Sequence, residues 1–279
     1  YHDLVGDKDY ESFNGICLTD TFQLGEESKN RLFSKVFPQN SERVERQQKT
    51  SVRVIIGNPP YSIGQQSEND NAQNEKYEIL DKSIALTYVL QSDTTMNRAL
   101  YDAYIKAFRW STDRLGPDGG IICFVSNGAW LDGRSTAGFR KTIAEEFSCI
   151  YAFDLRGNAR TQGELRRKEA GNVFGSGSRA PISITLLVRN PIAQEGKCRI
   201  RYYSIGDYLN RTEKLKIVSD MQSISSEELN WESIIPNEHG DWINKRNEEF
   251  STFIPIVRSG TETTNTPAFL SLNSNGVVT

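Results

Sequence analysis

Histidine is almost missing from this chain. Only His2 and His239 occur among 279 residues, and the first lies at the extreme amino end. A His-rich metal site or a Ser-His-Asp triad has too few side chains to draw on, so metal sites are not expected and most hydrolase chemistries are disfavoured. Cysteine is scarce as well. Cys17, Cys123, Cys149 and Cys198 stand far apart with no Cys-x-x-Cys spacing, and three of them sit in apolar runs (Ile16-Cys17-Leu18, Ile122-Cys123-Phe124, Cys149-Ile150). They read as buried free thiols of a protein in a reducing cytoplasm rather than as disulfides. No run of 18 apolar residues occurs, so no segment is expected to span a membrane. Tyr1-His2-Asp3 is not the start of a secretory signal and carries no initiator Met. Nor does one charge dominate: 33 basic against 36 acidic side chains leave a net charge of −3. That balance argues against a protein that coats nucleic acid, while a local basic groove stays open.

What is present is ordinary for a folded domain: 37% hydrophobic, 10% aromatic and 25% charged residues. The length admits about two domains or one large one. Asn14 to Thr19 reads as a short strand ending at Asp20. Ser51 to Ile56 is a β-branched run stopped by Gly57-Asn58-Pro59-Pro60, because proline donates no ladder hydrogen bond. Residues 64–76 are rich in Gln, Asn, Ser, Glu and Asp and read as a mobile loop or insertion. From Asn97 to Leu115, apolar residues recur at helical spacing, and Gly116-Pro117-Asp118-Gly119-Gly120 ends the pattern. Ile121 to Val125 reads as a central strand buried on both faces. Phe139, Ile143 and Phe147 predict a helix; Cys149–Leu155 and Ile182–Val188 predict two more strands.

This alternation predicts an α/β fold with an open sheet and crossover helices. Ligands of such sheets bind at the carboxyl ends of the strands, where Asp20, Asn58 and Ser126-Asn127 are expected. After about Asn190 the periodicity fades. Residues 1–195 are therefore expected to form the catalytic core, and 196–279 a less regular C-terminal segment.

The stretch that carries chemistry is Asn58-Pro59-Pro60-Tyr61, which chance would place in roughly one chain of this length in a thousand. Asn58 offers an amide oxygen, and the Pro59 carbonyl is held on a stiff, extended backbone. Two adjacent acceptors match an amino group with two N–H bonds. A planar amine conjugated to a ring is a poor nucleophile, and accepting both hydrogens draws it toward a pyramidal shape that frees its lone pair. Tyr61 supplies an aromatic face, and stacking one base on such a face is worth ~1–3 kcal/mol.

These residues resemble the catalytic motif of γ-class N6-adenine DNA methyltransferases. The resemblance implies that Asn58 and Pro59 bond the adenine N6 and that Tyr61 stacks on the flipped base. It covers about residues 13–190. Gly15 to Asp20 resembles the strand ending in the acid that binds the adenine of S-adenosylmethionine, which assigns that cofactor role to Asp20. Gly119 to Trp130 is similar to the strand after the central helix. Gly171-Asn172-Val173-Phe174, followed by Pro181 to Val188, resembles the late motif, in which Phe174 packs on the other face of the base. The implied fold is a Rossmann-like class I methyltransferase sheet. The family's Gly-rich cofactor loop precedes the position of Asp20, so the resemblance implies an N-terminally truncated core.

Phe13 to Leu24 and Phe269 to Thr279 further resemble type ISP restriction-modification enzymes of bacteria. The implied partners are DNA and, in the same cytoplasmic polypeptide, a nuclease, a helicase and a target-recognition domain toward which residues 196–279 would lead. Two alternatives stay open: a protein glutamine N5-methyltransferase, which also polarises an amide NH2, and a non-catalytic DNA-binding or scaffolding piece. Asp20 also fits a helix cap, Phe174 a core position, and Ser126-Asn127 a satisfied turn. Arg156, Arg160, Arg166, Arg167 and Lys168, diluted by Asp154, Glu164 and Glu169, read as a solvated loop, with phosphate contact as the alternative. Trp231 and Trp242 read as the core of the tail.

Overall fold

The β-branched run ahead of Asn58 forms a strand, β1 (Val54–Gly57), and the two prolines end it. The computed structural model describes residues 14–26, 37–60, 77–95, 97–175, 179–193, 196–226, 229–247, 249 and 252–254. Tyr61 and the segment 64–76 lie outside them. Five further strands are β2 (Gly120–Asn127), β3 (Cys149–Arg156), β4 (Ile182–Arg189), β5 (Arg199–Ser204) and β6 (Glu232–Ile234). They form one sheet in the order β1-β2-β4-β3-β5-β6. Pairs β1·β2 and β3·β5 are parallel; β4 runs antiparallel between β2 and β3, and β6 antiparallel to β5. The α/β class expected from the sequence is the class observed. The carboxyl ends of β1, β2, β3 and β5 therefore share one edge with the start of β4.

The helices are α1 (Pro38–Lys49), α2 (Glu78–Ile84), α3 (Ala103–Arg114), α4 (Ala137–Glu146), α5 (Gly163–Glu169) and α6 (Arg211–Met221). Pro38 opens α1, where a missing N–H costs nothing. The helix expected over 97–115 is divided. A 3-10 turn, Asn97–Tyr101, precedes Asp102, whose extended backbone and carboxylate cap α3 by accepting from the Tyr104 N–H. Gly138 lets α4 approach the π-helical turn Ala85–Val89, because a side chain there would overlap the Tyr88 carbonyl.

The larger core covers the sheet face bearing Ile122, Phe124, Ile150 and Leu187. There Phe108, Phe124, Trp130 and Phe139 meet edge to face. The opposite face packs Phe153, Leu155 and Ile182 against Val173, Ile205 and Met221. Among the described residues no helix is long and apolar enough to cross a membrane.

Several expectations need correction. Residues 14–20 form no strand. Ile16 and Leu18 are 64% and 70% exposed, and the Asn40 side chain takes the place of a neighbouring strand, accepting from the Leu18 N–H (2.7 Å) and donating to its carbonyl (2.9 Å). β2 is not buried on both faces: Ile122 and Phe124 are buried, whereas Ile121 is exposed. The chain after residue 195 does not leave the core. β5 and β6 extend the sheet, and the compact unit runs to Ile243, because Arg199–Ser204 finds a parallel partner in β3. Trp242 accordingly lies in the larger core, edge-on to Trp130, and Trp231 packs on Tyr151 and Tyr203. Asn244–Thr279 forms a second unit, in which Asn247 accepts from the Glu249 N–H at 2.9 Å.

Candidate active site

Asn58 follows β1 directly and is exposed, while Pro59 is buried. Burial of the ring, with φ already locked, fixes the Pro59 backbone. Among the described residues no hydrogen bond occupies the Asn58 side chain. Gly57, just before it, lets the Phe124 ring lie against the backbone, since a Cβ would sit 3.3 Å from that ring. The corner is open at the surface and rigid beneath.

The neighbouring strand ends bring three loops to the same edge. Gly57 pairs with Phe124, so β2 continues three residues further, to Asn127, whose partner Ile182 begins β4. β1 and β4 are thus two strand spacings apart, about 10 Å. The Gly128 N–H donates to the Pro181 carbonyl (2.8 Å) and the Ala159 N–H to the Arg179 carbonyl (3.0 Å). These bonds tie the loops after β2 and β3 to the segment entering β4. Asn127 accepts from the Ala129 N–H at 2.9 Å, capping the short turn that follows β2.

Phe174 stands on that segment, 45% exposed. Asn172 holds the turn at both ends, accepting from the Phe174 N–H (2.9 Å) and donating to the Ala180 carbonyl (2.7 Å). Val173, beside it, is buried in the smaller core. Asn58 and Phe174 therefore lie on one edge of the sheet; Tyr61 falls outside the described residues.

Asp20 is placed by a loop, not by a strand. Its Oδ1 accepts from the Phe22 N–H (2.9 Å) and its Oδ2 from the Tyr77 hydroxyl (2.7 Å). Glu26, on the same loop, caps α2 by accepting from the N–H groups of Ile79 and Leu80. A carboxylate offers about four lone-pair sites, so Asp20 keeps acceptor capacity beyond its two internal bonds.

One feature at this edge escaped the sequence. Ser126, Ser183, Asp154 and Ser204 are in register across β2, β4, β3 and β5, forming a polar row within two residues of the strand ends. Asp154 accepts from the Arg156 N–H (2.7 Å), at a bulge in β3, and from the Tyr202 hydroxyl (3.0 Å). Burial pushes its carboxyl above the usual range, against the pull of those two donors. The available signal was one acid inside the apolar run Tyr151-Ala152-Phe153-Asp154-Leu155.

The basic run is mostly paired within the chain. Arg156 bridges Glu169 (3.2 Å) and Asp207 (2.6 Å), Lys168 reaches Asp207, and Arg167 reaches Glu164. A groove on α1 lined by Glu42, Glu45, Arg46 and Lys49 lies toward the amino end of β1, away from this edge.

A family model described as Eco57I restriction-modification methylase matches residues 6–160. Three solved structures resemble most of the chain. A nuclease-deletion mutant of the type ISP restriction-modification enzyme LlaGI, in complex with a DNA substrate mimic, is 44% identical, with a TM-score of 0.83, over 93% of this chain and 21% of that one. The ATP-dependent type ISP enzyme LlaBIII bound to DNA is 37% identical, with a TM-score of 0.85, over 93% and 17%. DrdV, in a DNA complex, is 37% identical, with a TM-score of 0.78, over 90% and 24%. This chain thus spans between 17% and 24% of the length of those proteins. No curated protein matches it.

Proposed function

The chain belongs to the Eco57I restriction-modification methylase family, and on that premise we propose that it is the methyltransferase part of a type ISP-like restriction-modification enzyme, methylating adenine N6 in DNA. The observation that carries the reading is the Asn58 corner. An exposed amide, with no hydrogen bond among the described residues, follows a strand and precedes a buried proline, on the same sheet edge as an exposed aromatic ring.

In this reading Asn58 Oδ1 and the Pro59 carbonyl accept the two N–H bonds of N6. The nitrogen turns pyramidal and aims its lone pair at the methyl group. S-adenosylmethionine, if bound there, would supply the methyl as a sulfonium electrophile, and N6 would gain the methyl and lose one proton to water. Neither a nucleophilic side chain nor a base of high pKa is needed, because orientation and fixed dipoles lower the barrier. Asp20, with its spare lone pairs, would accept from the nucleoside of the cofactor. Tyr61 and Phe174 would stack on the extruded base and offset part of the few kcal/mol that extrusion costs. The polypeptide beyond Ile243 would lead toward a target-recognition domain, with nuclease and helicase domains joined in the same protein. DNA is then the partner.

The test is Asn58→Ala in the full enzyme, with methyl transfer to DNA and DNA affinity measured together. Loss of one positioned polar contact to a reacting centre costs ~10²–10³ in rate. The expected result is a loss at least that large with DNA binding intact. Wild-type rates, or transfer to a glutamine peptide in place of DNA, would overturn the reading.

A further inference from the structure

We propose that α6, through Lys214 and Arg211, positions the Phe174 turn, so that these two residues act on the base-stacking aromatic without touching substrate. The proposal rests on the stacking role given to Phe174 above.

Lys214 is fully buried, and its Nζ donates to two backbone carbonyls, Glu169 (2.9 Å) and Gly171 (2.9 Å). Arg211, one helical turn earlier, donates from Nε to the Val173 carbonyl (2.8 Å). Arg166 donates to the carbonyl of Ala170 between them (2.7 Å). Four carbonyls in the five residues before Phe174 are thus held by three cations. Cations commonly cap the last carbonyls of a helix, and Glu169 ends α5. Capping does not explain the reach to Gly171 and Val173, which are past the helix.

A buried ammonium is costly unless fully bonded. Burial also pulls Lys214 below the ordinary lysine range. The segment it grips is bent: Ala170 takes φ 50°, a left-handed value that L side chains rarely adopt. A side chain at Gly171 would come within 3.1 Å of the Arg211 nitrogen, so α6 and the turn are in direct contact. From below, Glu169 accepts from the Asn158 N–H (2.9 Å) and pairs with Arg156, which ties the same turn to the end of β3. The turn has little freedom left except in the Phe174 side chain.

The experiment is a double-mutant cycle in the full enzyme with Lys214→Met and Phe174→Ala. It reads kcat, KM for DNA, and the emission of 2-aminopurine placed at the target adenine, which reports unstacking. Lys214→Met is expected to lower kcat at least tenfold with KM for DNA within about threefold of wild type, and to change the emission in the direction that Phe174→Ala does. The double variant is expected to be no worse than Phe174→Ala alone, since interacting residues are non-additive. Fully additive losses, or unchanged kcat and emission in Lys214→Met, would overturn the proposal. If Lys214→Met does not fold, Arg211→Gln on the half-exposed contact runs the same cycle, and additivity there overturns it equally. An inert Phe174→Ala would instead sink the stacking role on which the proposal stands, whatever Lys214 does.

Discussion

The Tyr77 hydroxyl donates to Asp20 Oδ2 at 2.7 Å across 57 residues of sequence. Tyr77 itself is buried, edge-on to Phe22, so the ring is fixed by packing and the hydroxyl orients the acid. Tyr77→Phe keeps the ring and removes the donor. The loss of one such hydrogen bond is worth about 0.5–1.5 kcal/mol of stability. If Asp20 serves the cofactor, its affinity falls several-fold in the variant while the rate at saturating cofactor holds. Calorimetry beside a thermal melt separates these effects; unchanged affinity with a lowered melting point would leave Asp20 a purely structural acid.

Arg140 joins distant parts of the larger core. Its side chain is fully buried, with Nε donating to the Gly240 carbonyl (2.8 Å) and Nη1 to the carbonyls of Trp130 (2.6 Å) and Gly133 (2.7 Å). Asp241 lies 3.4 Å from Nη2. Arg140→Met strands the three carbonyl acceptors and removes one of the partners of Asp241, which keeps the Asn237 Nδ2 donor (3.2 Å), at a cost of about 3–5 kcal/mol. Arg140→Lys keeps the charge without the planar fork and should fall between. Denaturant titration of both variants checks the order, and a Met variant as stable as wild type would contradict it.

Cys198 tests the reading of the cysteines as buried free thiols. None of the four forms a disulfide, Cys149 is buried and the other three are half-buried rather than buried, and burial, aided by Cys149 nearby, pushes the Cys198 thiol up to about 12. At pH 8 its thiolate is then on the order of one molecule in ten thousand, against roughly a quarter for an ordinary thiol. Iodoacetamide should spare Cys198 in the native protein and label it in denaturant, as read by peptide mass. The linkage has a definite sign. The folded pKa lies above the unfolded one, so the thiol's contribution to stability is complete below about pH 8.5 and fades as pH rises toward 12.

The strand running into Asn58 was legible in the sequence because its signals are local. β-branched residues favour a pleated strand, and a proline pair must end it wherever it lies. Leucine, aromatic and alanine spacing likewise revealed α3 and α4, and the Gly-Pro-Asp-Gly-Gly turn between α3 and β2 states its own geometry, with Gly119 at φ 78°. The motif residues pointed to an amino group through their acceptors, and the resemblance supplied the proposed reaction.

Partnership is another matter. Ile16-Cys17-Leu18 and Val54-Ile55-Ile56 look alike as sequences, yet only the second pairs with a strand, whereas Asn40 takes the partner's place beside the first. Arg199 to Ser204 carries charge at alternate positions and read as tail until β3 supplied a parallel neighbour. Lys214 lies in a helix with little amphipathic pattern, and nothing local in the sequence marks its ammonium as buried on two carbonyls more than 40 residues earlier. Strand formation and ion burial depend on what stands opposite, and that is set by tertiary contacts whose partners lie too far along the chain for any local pattern to encode.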